Sequence, residues 1–327
     1  MKFLIAGLGS IGQRHLRNLH ALGQTDVLAY RQRNWPLPSD LPVSSVGELS
    51  AALAAGPDAV IVATPTSQHL PIALAAARAG CALLIEKPLA HELEGIAELE
   101  ALVAAKRLPV LVGYHLRFHP ELRLVKRLLD EGRIGRPIAA RIQCGEYLPG
   151  WHPAEDYRAG YSARRDLGGG AILTLSHELD YAGWLFGDVR RVAAFAGRRS
   201  ALQIDVEDTA QITLEFRSGL TAQIHLDYVQ RPPARTCHIV GEAGQILWDY
   251  FGSGVTLYEV GREAWETFPV DAGLERNDLY LSELAHFLEC LAGRAQPVVP
   301  LASGRRTLEV ALAARASADK GEFMWLP

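Results

Sequence analysis

Three stretches of this 327-residue sequence combine residue types that could hold a phosphorylated cofactor and move a proton. The first is Gly7-Leu8-Gly9-Ser10-Ile11-Gly12, a GxGxxG pattern that directly follows an apolar run and opens a helix-patterned stretch. In that context Gly7 permits a tight turn, Gly9 lets a pyrophosphate approach the backbone, and Gly12 lets helix and strand pack closely. The N–H groups at the helix start, those of Ser10 and Ile11 among them, supply donors and a dipole that favour an anion. A merely flexible turn is the plain alternative. The second stretch is Glu86-Lys87-Pro88, again directly after an apolar run, with Thr64-Pro65 in the same position after another. Carboxyl ends of strands are where open α/β sheets place their ligands. A lysine between Glu86 and Pro88 there is held in direction, whereas a lysine elsewhere on a loop would be a solvated cation.

The third stretch runs from Gly168-Gly169-Gly170 through Thr174 to His177-Glu178-Leu179-Asp180. Three glycines allow close approach of backbone to a ligand or another element. The helix expected after them carries His177 and Asp180 one turn apart. An imidazole titrates near neutrality, so His177 suits general acid–base work at a carbinol; a structural histidine in an apolar helix is the alternative. Just upstream, Trp151, Asp156, Tyr157, Arg158 and Tyr161 place aromatic rings beside carboxylate and guanidinium groups, a set that can stack on and hydrogen-bond a polyol. A surface loop with anchoring aromatics explains them equally well. At the end of the second strand an acidic residue would bind a ribose 2′-hydroxyl, and an arginine would accommodate a 2′-phosphate. The sequence there reads Ala29-Tyr30-Arg31-Gln32-Arg33, so Arg31 and Arg33 tilt the choice from NAD toward NADP, unless both are solvated loop cations.

These residues need a scaffold. Apolar runs at 3–6, 27–30, 59–63, 82–85 and 110–112 alternate with helix-patterned stretches at 11–22, 47–55, 68–79 and 93–106. Near-continuous apolar strands between helices predict a parallel sheet covered on both faces, hence a doubly wound Rossmann domain over 1–118. After that the rhythm changes. Helices are expected after His119-Pro120 and over 171–186, followed by strands at 191–196, 210–216, 221–228, 236–240, 245–248 and 255–260, and by closing helices near 278–291 and 303–317. Consecutive strands with Gly-containing turns predict a largely antiparallel sheet in an α+β domain over 119–327. One face of that sheet can pack on helices; the other predicts a homo-oligomer, dimer or tetramer, joined sheet to sheet, with a solvated face as the alternative.

Composition narrows the classes. With 33 basic against 37 acidic residues the chain lacks the basic excess of a nucleic-acid binder. Its four cysteines form no CxxC pair, so reduced thiols are expected rather than disulfides or a metal site. No apolar run approaches bilayer length, and the N-terminus does not read as a signal peptide, so no membrane partner and a cytoplasmic location are expected.

Together GLGSIG, Glu86-Lys87-Pro88 and the GGG…His177-x-x-Asp180 helix resemble the glucose–fructose oxidoreductase/inositol dehydrogenase/MocA (Gfo/Idh/MocA) family, in order and spacing over essentially the whole chain. The segment 113–120, which holds Arg117, resembles that family's crossing between domains and places Arg117 near substrate. The stretches 151–158 and 175–181 resemble a branch associated with surface-polysaccharide and unusual-sugar metabolism. The resemblance implies that Lys87 contacts the substrate hydroxyl and positions the nicotinamide, that His177 shuttles the proton, and that the bond before Pro88 is cis. Many relatives carry an aspartate a few residues before the histidine. Here Thr174 stands in that place, which leaves Asp180 or Glu178 to compensate or the catalytic set altered. The expected function is an NAD(P)-dependent oxidoreductase acting on a sugar, sugar nucleotide, inositol or sugar acid. The rivals are a cofactor-binding sensor without efficient turnover, and a lyase or isomerase with tightly held cofactor.

Overall fold

Phe3-Leu4-Ile5-Ala6 and Ala59-Val60-Ile61-Val62 are buried along their whole length, as strands covered on both faces must be. They form the middle of a six-stranded sheet in a computed structural model that describes residues 1–32, 43–262, 264–269 and 273–327. The strands are β1 (Phe3–Ala6), β2 (Val27–Tyr30), β3 (Ser44–Val46), β4 (Ala59–Val62), β5 (Ala82–Glu86) and β6 (Val110–Gly113). Every pair is parallel and the order is β3-β2-β1-β4-β5-β6, the doubly wound arrangement. Helices α1 (Ser10–Ala21), α2 (Leu49–Ala54), α3 (His69–Ala79) and α4 (Ile96–Lys106) lie between the strands. The short edge strand β3 was not expected, because Ser44-Ser45-Val46 offers too few apolar residues to give a periodic signal.

The chain divides into two compact units, Met1–His115 with Glu275–Arg305, and Leu116–Leu274 with Arg306–Pro327. This differs from the expected contiguous division at 118/119, since α8 (Arg276–Leu291) belongs with the N-terminal part. The reason is packing: α8 lies against α1, where Asn277 exchanges side-chain hydrogen bonds with Asn18 and Arg14 donates to Asn277.

The second unit begins with α5 (Pro120–Asp130), whose proline occupies the first turn and whose N-cap His119 accepts from the Glu121 N–H through its side chain. It continues with β7 (Pro137–Gly145), α6 (Ala171–Thr174) and α7 (His177–Phe186). Then come β8 (Val189–Gly197), β9 (Thr209–Phe216), β10 (Thr221–Asp227), β11 (Ala234–Gly241), β12 (Gly244–Asp249), β13 (Gly254–Glu259) and β14 (Trp265–Phe268). Helix α9 (Leu301–Lys320) and β15 (Met324–Trp325) close the chain. The nine strands are ordered β14-β13-β12-β11-β7-β10-β9-β8-β15. All pairings are antiparallel except β7 with β10, so the sheet is mixed and mostly antiparallel. Strand β7 was not among the expected strands, yet it sits at the centre and separates two meanders. Helices α5, α6 and α7 pack on one face, and Trp248 is fully buried beneath them with its Nε1 donating to Glu121 at 2.7 Å. The helix expected over 171–186 is broken into α6 and α7. The second piece starts at His177 with Glu178 and Asp180 in its first turn, where the helix dipole favours acids.

Candidate functional site

In the first unit the loop from β1 to α1 shows what each glycine does. Gly7 has φ 98°, and a Cβ on it would lie 2.7 Å from the Ala63 carbonyl oxygen. A Cβ on Gly12 would fall 1.9 Å from the Gly7 carbonyl oxygen, so strand and helix meet there backbone to backbone. Gly9 is different: nothing lies within 4 Å of an added Cβ. Helix α1 carries no side-chain cap and no acid in its first turn, so its positive end is available to an anion arriving over Gly9, Ser10 and Ile11. These features fit a dinucleotide pyrophosphate. At the end of β2 the Arg31 Nε donates to Ser45 Oγ at 3.1 Å, and no carboxylate stands at Tyr30-Arg31-Gln32. Arg33 lies outside the described residues.

Thr64-Pro65 follow β4 and Lys87-Pro88 follow β5, on neighbouring strands. The Lys87–Pro88 bond is cis. Glu86 is buried; one carboxylate oxygen lies 2.8 Å from His15 Nε2 and the other accepts the Lys87 N–H at 3.3 Å. Glu86, expected to touch cofactor, is thus turned toward His15. His69 is buried between the carbonyls of Pro88 and Thr64. Sequence reasoning missed His15 and His69. His69 opens α3 and His15 lies in the middle of α1, and neither position carries a local signal that sets it apart from a surface histidine.

In the second unit Thr174, His177, Glu178 and Asp180 are all buried. Asp180 receives a bidentate pair from Arg117, at 2.7 Å from Nε and 2.9 Å from Nη2, and Thr307 Oγ1 lies 3.4 Å away. The Arg117 guanidinium also stacks over the Trp184 ring. Glu178 pairs with Arg235 at 2.8 Å, and Arg235 reaches Cys144 Sγ at 3.3 Å. Each carboxylate flanking His177 therefore has its own arginine. Arg117, expected at the substrate, has its guanidinium committed to Asp180. Burial pushes the Cys144 and Cys237 thiols up to about 12, which keeps them protonated and inert.

The glycine run has a local explanation. A Cβ on Gly169 would lie 2.2 Å from the Tyr161 carbonyl oxygen, and one on Gly170 2.4 Å from Glu207 Oε1. The loop before it braces itself. Asp156 and Arg158 pair with each other in an exposed position, and Arg158 Nη1 donates to Gln203 at 3.0 Å. The Gln203 N–H donates to Tyr157 Oη at 3.2 Å, and Trp151 meets Tyr228 edge-on at 5.6 Å. Tyr161 is half-buried. The pairing holds the Asp156 carboxyl below its ordinary value, through hydrogen bonds from Arg158. Among the described residues no group of histidine, cysteine and acidic side chains is placed to hold a metal, and no helix is long and apolar enough to cross a membrane.

A doubly wound sheet with an open glycine loop at its helix start is the arrangement of a dinucleotide-binding domain. Residues 1–114 match an oxidoreductase family described by its NAD-binding Rossmann fold, and residues 122–247 match the GFO/IDH/MocA C-terminal domain. A 1,5-anhydro-D-fructose reductase of Ensifer adhaerens is 32% identical over 81% of this chain and 78% of its own length. The scyllo-inositol 2-dehydrogenase (NAD(+)) of Bacillus subtilis is 27% identical over 97% and 94%. The fold matches the WlbA dehydrogenase from Bordetella pertussis, solved with NADH and UDP-GlcNAcA, with a TM-score of 0.86 over 100% of this chain and 98% of that one at 22% identity. The chain belongs to the Gfo/Idh/MocA family and is an NAD(P)-dependent oxidoreductase.

Proposed function

We propose that this protein oxidises a secondary hydroxyl of a sugar, sugar nucleotide, inositol or sugar acid, or reduces the corresponding ketone. The observation that carries the reading is the loop open at Gly9 two strands away from Lys87, on the carboxyl edge of one parallel sheet. The compounds in the relatives' names, an anhydro sugar and an inositol, and the UDP-GlcNAcA bound in the WlbA structure support a polyol and set the compounds to test. The nicotinamide, when bound, accepts or supplies the hydride. The Lys87 ammonium stabilises oxyanion character on the substrate oxygen, and His177 takes or returns the hydroxyl proton. The backbone of Gly9, Ser10 and Ile11 holds the pyrophosphate in the turn that Gly7 and Gly12 shape, with Thr64-Pro65 beside it, and Trp151, Tyr157 and Tyr161 bind the sugar. A panel of inositols, anhydro sugars and UDP-sugars, followed by nicotinamide absorbance with each cofactor, tests the reading. No turnover with any member, despite cofactor binding, would favour a sensor. Product without absorbance change would favour a lyase or isomerase.

Two narrower proposals accompany it. NADP binds at least as tightly as NAD, because Arg31 follows β2 with no carboxylate there to repel a 2′-phosphate. A clear NAD preference that Arg31→Ala leaves unchanged would remove Arg31 from the site. The protein also self-associates through the outward face of its nine-stranded sheet. On that face Phe195, Gln211, His225 and Gln143 form one cross-strand row, and Phe195 is 81% exposed. Light scattering decides the oligomeric state.

A further inference from the structure

Lys87 is bracketed by two buried histidines that none of the roles above uses. His15, on α1, is fully buried and its Nε2 lies 2.8 Å from Glu86 Oε1. Glu86 Oε2 accepts the Lys87 N–H at 3.3 Å, and a Cβ on Gly113 of β6 would come within 3.1 Å of that oxygen, so the carboxylate is boxed in. His69, the first residue of α3, is 1% exposed; its Nδ1 lies 2.8 Å from the Pro88 carbonyl oxygen and its Nε2 2.9 Å from that of Thr64. Carboxylate and carbonyl oxygens only accept, so His15 must present an N–H at Nε2, and His69 one at Nδ1 for the Pro88 bond.

We propose that His15 and His69 are positioning residues for Lys87: His15 holds the residue before it through Glu86, His69 holds the residue after it through the Pro88 carbonyl, and together they set where the ammonium points. A lysine side chain is long and flexible, so the arc its nitrogen sweeps depends on how firmly the backbone at its base is held. A displacement of about 1 Å at a reacting group can cost on the order of a hundredfold in rate. The proposal rests on the reading that Lys87 acts on the substrate, and its test is arranged to separate the two.

An asparagine amide nitrogen falls near the position of a histidine Nδ1, and a glutamine amide nitrogen near Nε2. His15→Gln and His69→Asn therefore keep the N–H that matters, while His15→Leu and His69→Leu fill the space without it. On the best substrate of the sugar and inositol panel, each leucine variant should lose about ten- to a hundredfold in kcat, and the amide variants should stay within about threefold. In a Lys87→Ala background the leucine changes should cost no more than about a further twofold, because they act through the missing amine. A readout independent of turnover is the rate at which acetic anhydride labels Lys87, measured by mass spectrometry against Lys2 and Lys320. The leucine variants should change it by about threefold or more and the amide variants should restore it. Leucine variants with full kcat, losses undiminished in the Lys87→Ala background, or labelling unchanged would each overturn the proposal. If Lys87→Ala itself keeps full turnover, the catalytic reading of Lys87 fails, and labelling alone then decides whether the histidines hold it. Labelling alone also decides if no panel compound is turned over.

Discussion

Gly9 and Gly12 lie three residues apart in one motif, and the structure assigns them opposite sensitivities. Gly9 has φ −69° and ψ −170°, extended backbone that any residue adopts, and an added Cβ meets nothing within 4 Å. Gly9→Val should therefore leave the fold intact. What it should remove is the approach of the pyrophosphate to the N–H groups at the start of α1. A hydrogen bond to a charged group contributes roughly 1.5–3 kcal/mol, so losing two of them weakens cofactor binding by about 3 kcal/mol or more. That corresponds to at least a hundredfold in Kd. Gly12→Ala drives a methyl to 1.9 Å from the Gly7 carbonyl oxygen, against about 3.4 Å for ordinary contact. The obstacle is backbone that cannot rotate away, and overpacking of this kind costs roughly 1–3 kcal/mol or more in stability. At about 2–4 °C per kcal/mol for a domain of this size, the melting temperature should fall by several degrees. The assay pairs a fluorescence titration of nicotinamide cofactor with thermal unfolding by circular dichroism. Gly9→Val with wild-type affinity would place the cofactor elsewhere, and Gly12→Ala with unchanged melting would refute the packing argument.

Lys87→Ala and His177→Ala should each lose on the order of a hundredfold or more in turnover with little change in cofactor affinity, and His177→Ala should flatten the pH–rate profile near neutrality; full activity in both would end the catalytic assignment. Asp180→Ala should behave as a stability variant, losing about 3–5 kcal/mol by denaturant unfolding because it strands the buried Arg117 guanidinium; a stable Asp180→Ala protein with abolished turnover would return Asp180 to the chemistry. Burial, reinforced by Arg235, holds the His119 pKa down from 6.5 to about 4. The unfolded chain therefore binds a proton in that window that the folded chain does not. The contribution is fully present above pH 6.5 and is lost as pH falls toward 4, about 2 kcal/mol by pH 5 at about 1.4 kcal/mol per unit. Wild type should lose that much more than His119→Asn between pH 7 and pH 5 in urea unfolding; equal losses would contradict the burial account.

Much of the first unit was legible in the sequence because its information is local. Near-continuous apolar runs such as Leu4-Ile5 and Val60-Ile61 announce strands covered on both faces, and GxGxxG between strand and helix announces a tight turn from one into the other. The meanders β8–β10 and β11–β14 were mostly readable for the same reason, since each strand pairs with its neighbour in sequence. What was not legible depends on residues far apart in the chain. Strand β7 is flanked by β10 and β11, whose residues lie about 80–100 positions downstream, and its own sequence has weak alternation; only the pairing shows that it is central. The return of α8 to the first unit rests on contacts such as Asn277 with Asn18. The motif around His177 was visible, but its neighbours' partners were not. That Asp180 is bound by Arg117 and Glu178 by Arg235 follows from burial, because a buried carboxylate must find a cation, and tertiary packing alone determines which cation comes within reach. In the same way Lys87 could be singled out from its position after a strand, while the histidines on either side of it come from α1 and α3, brought there by the winding of the chain about the sheet.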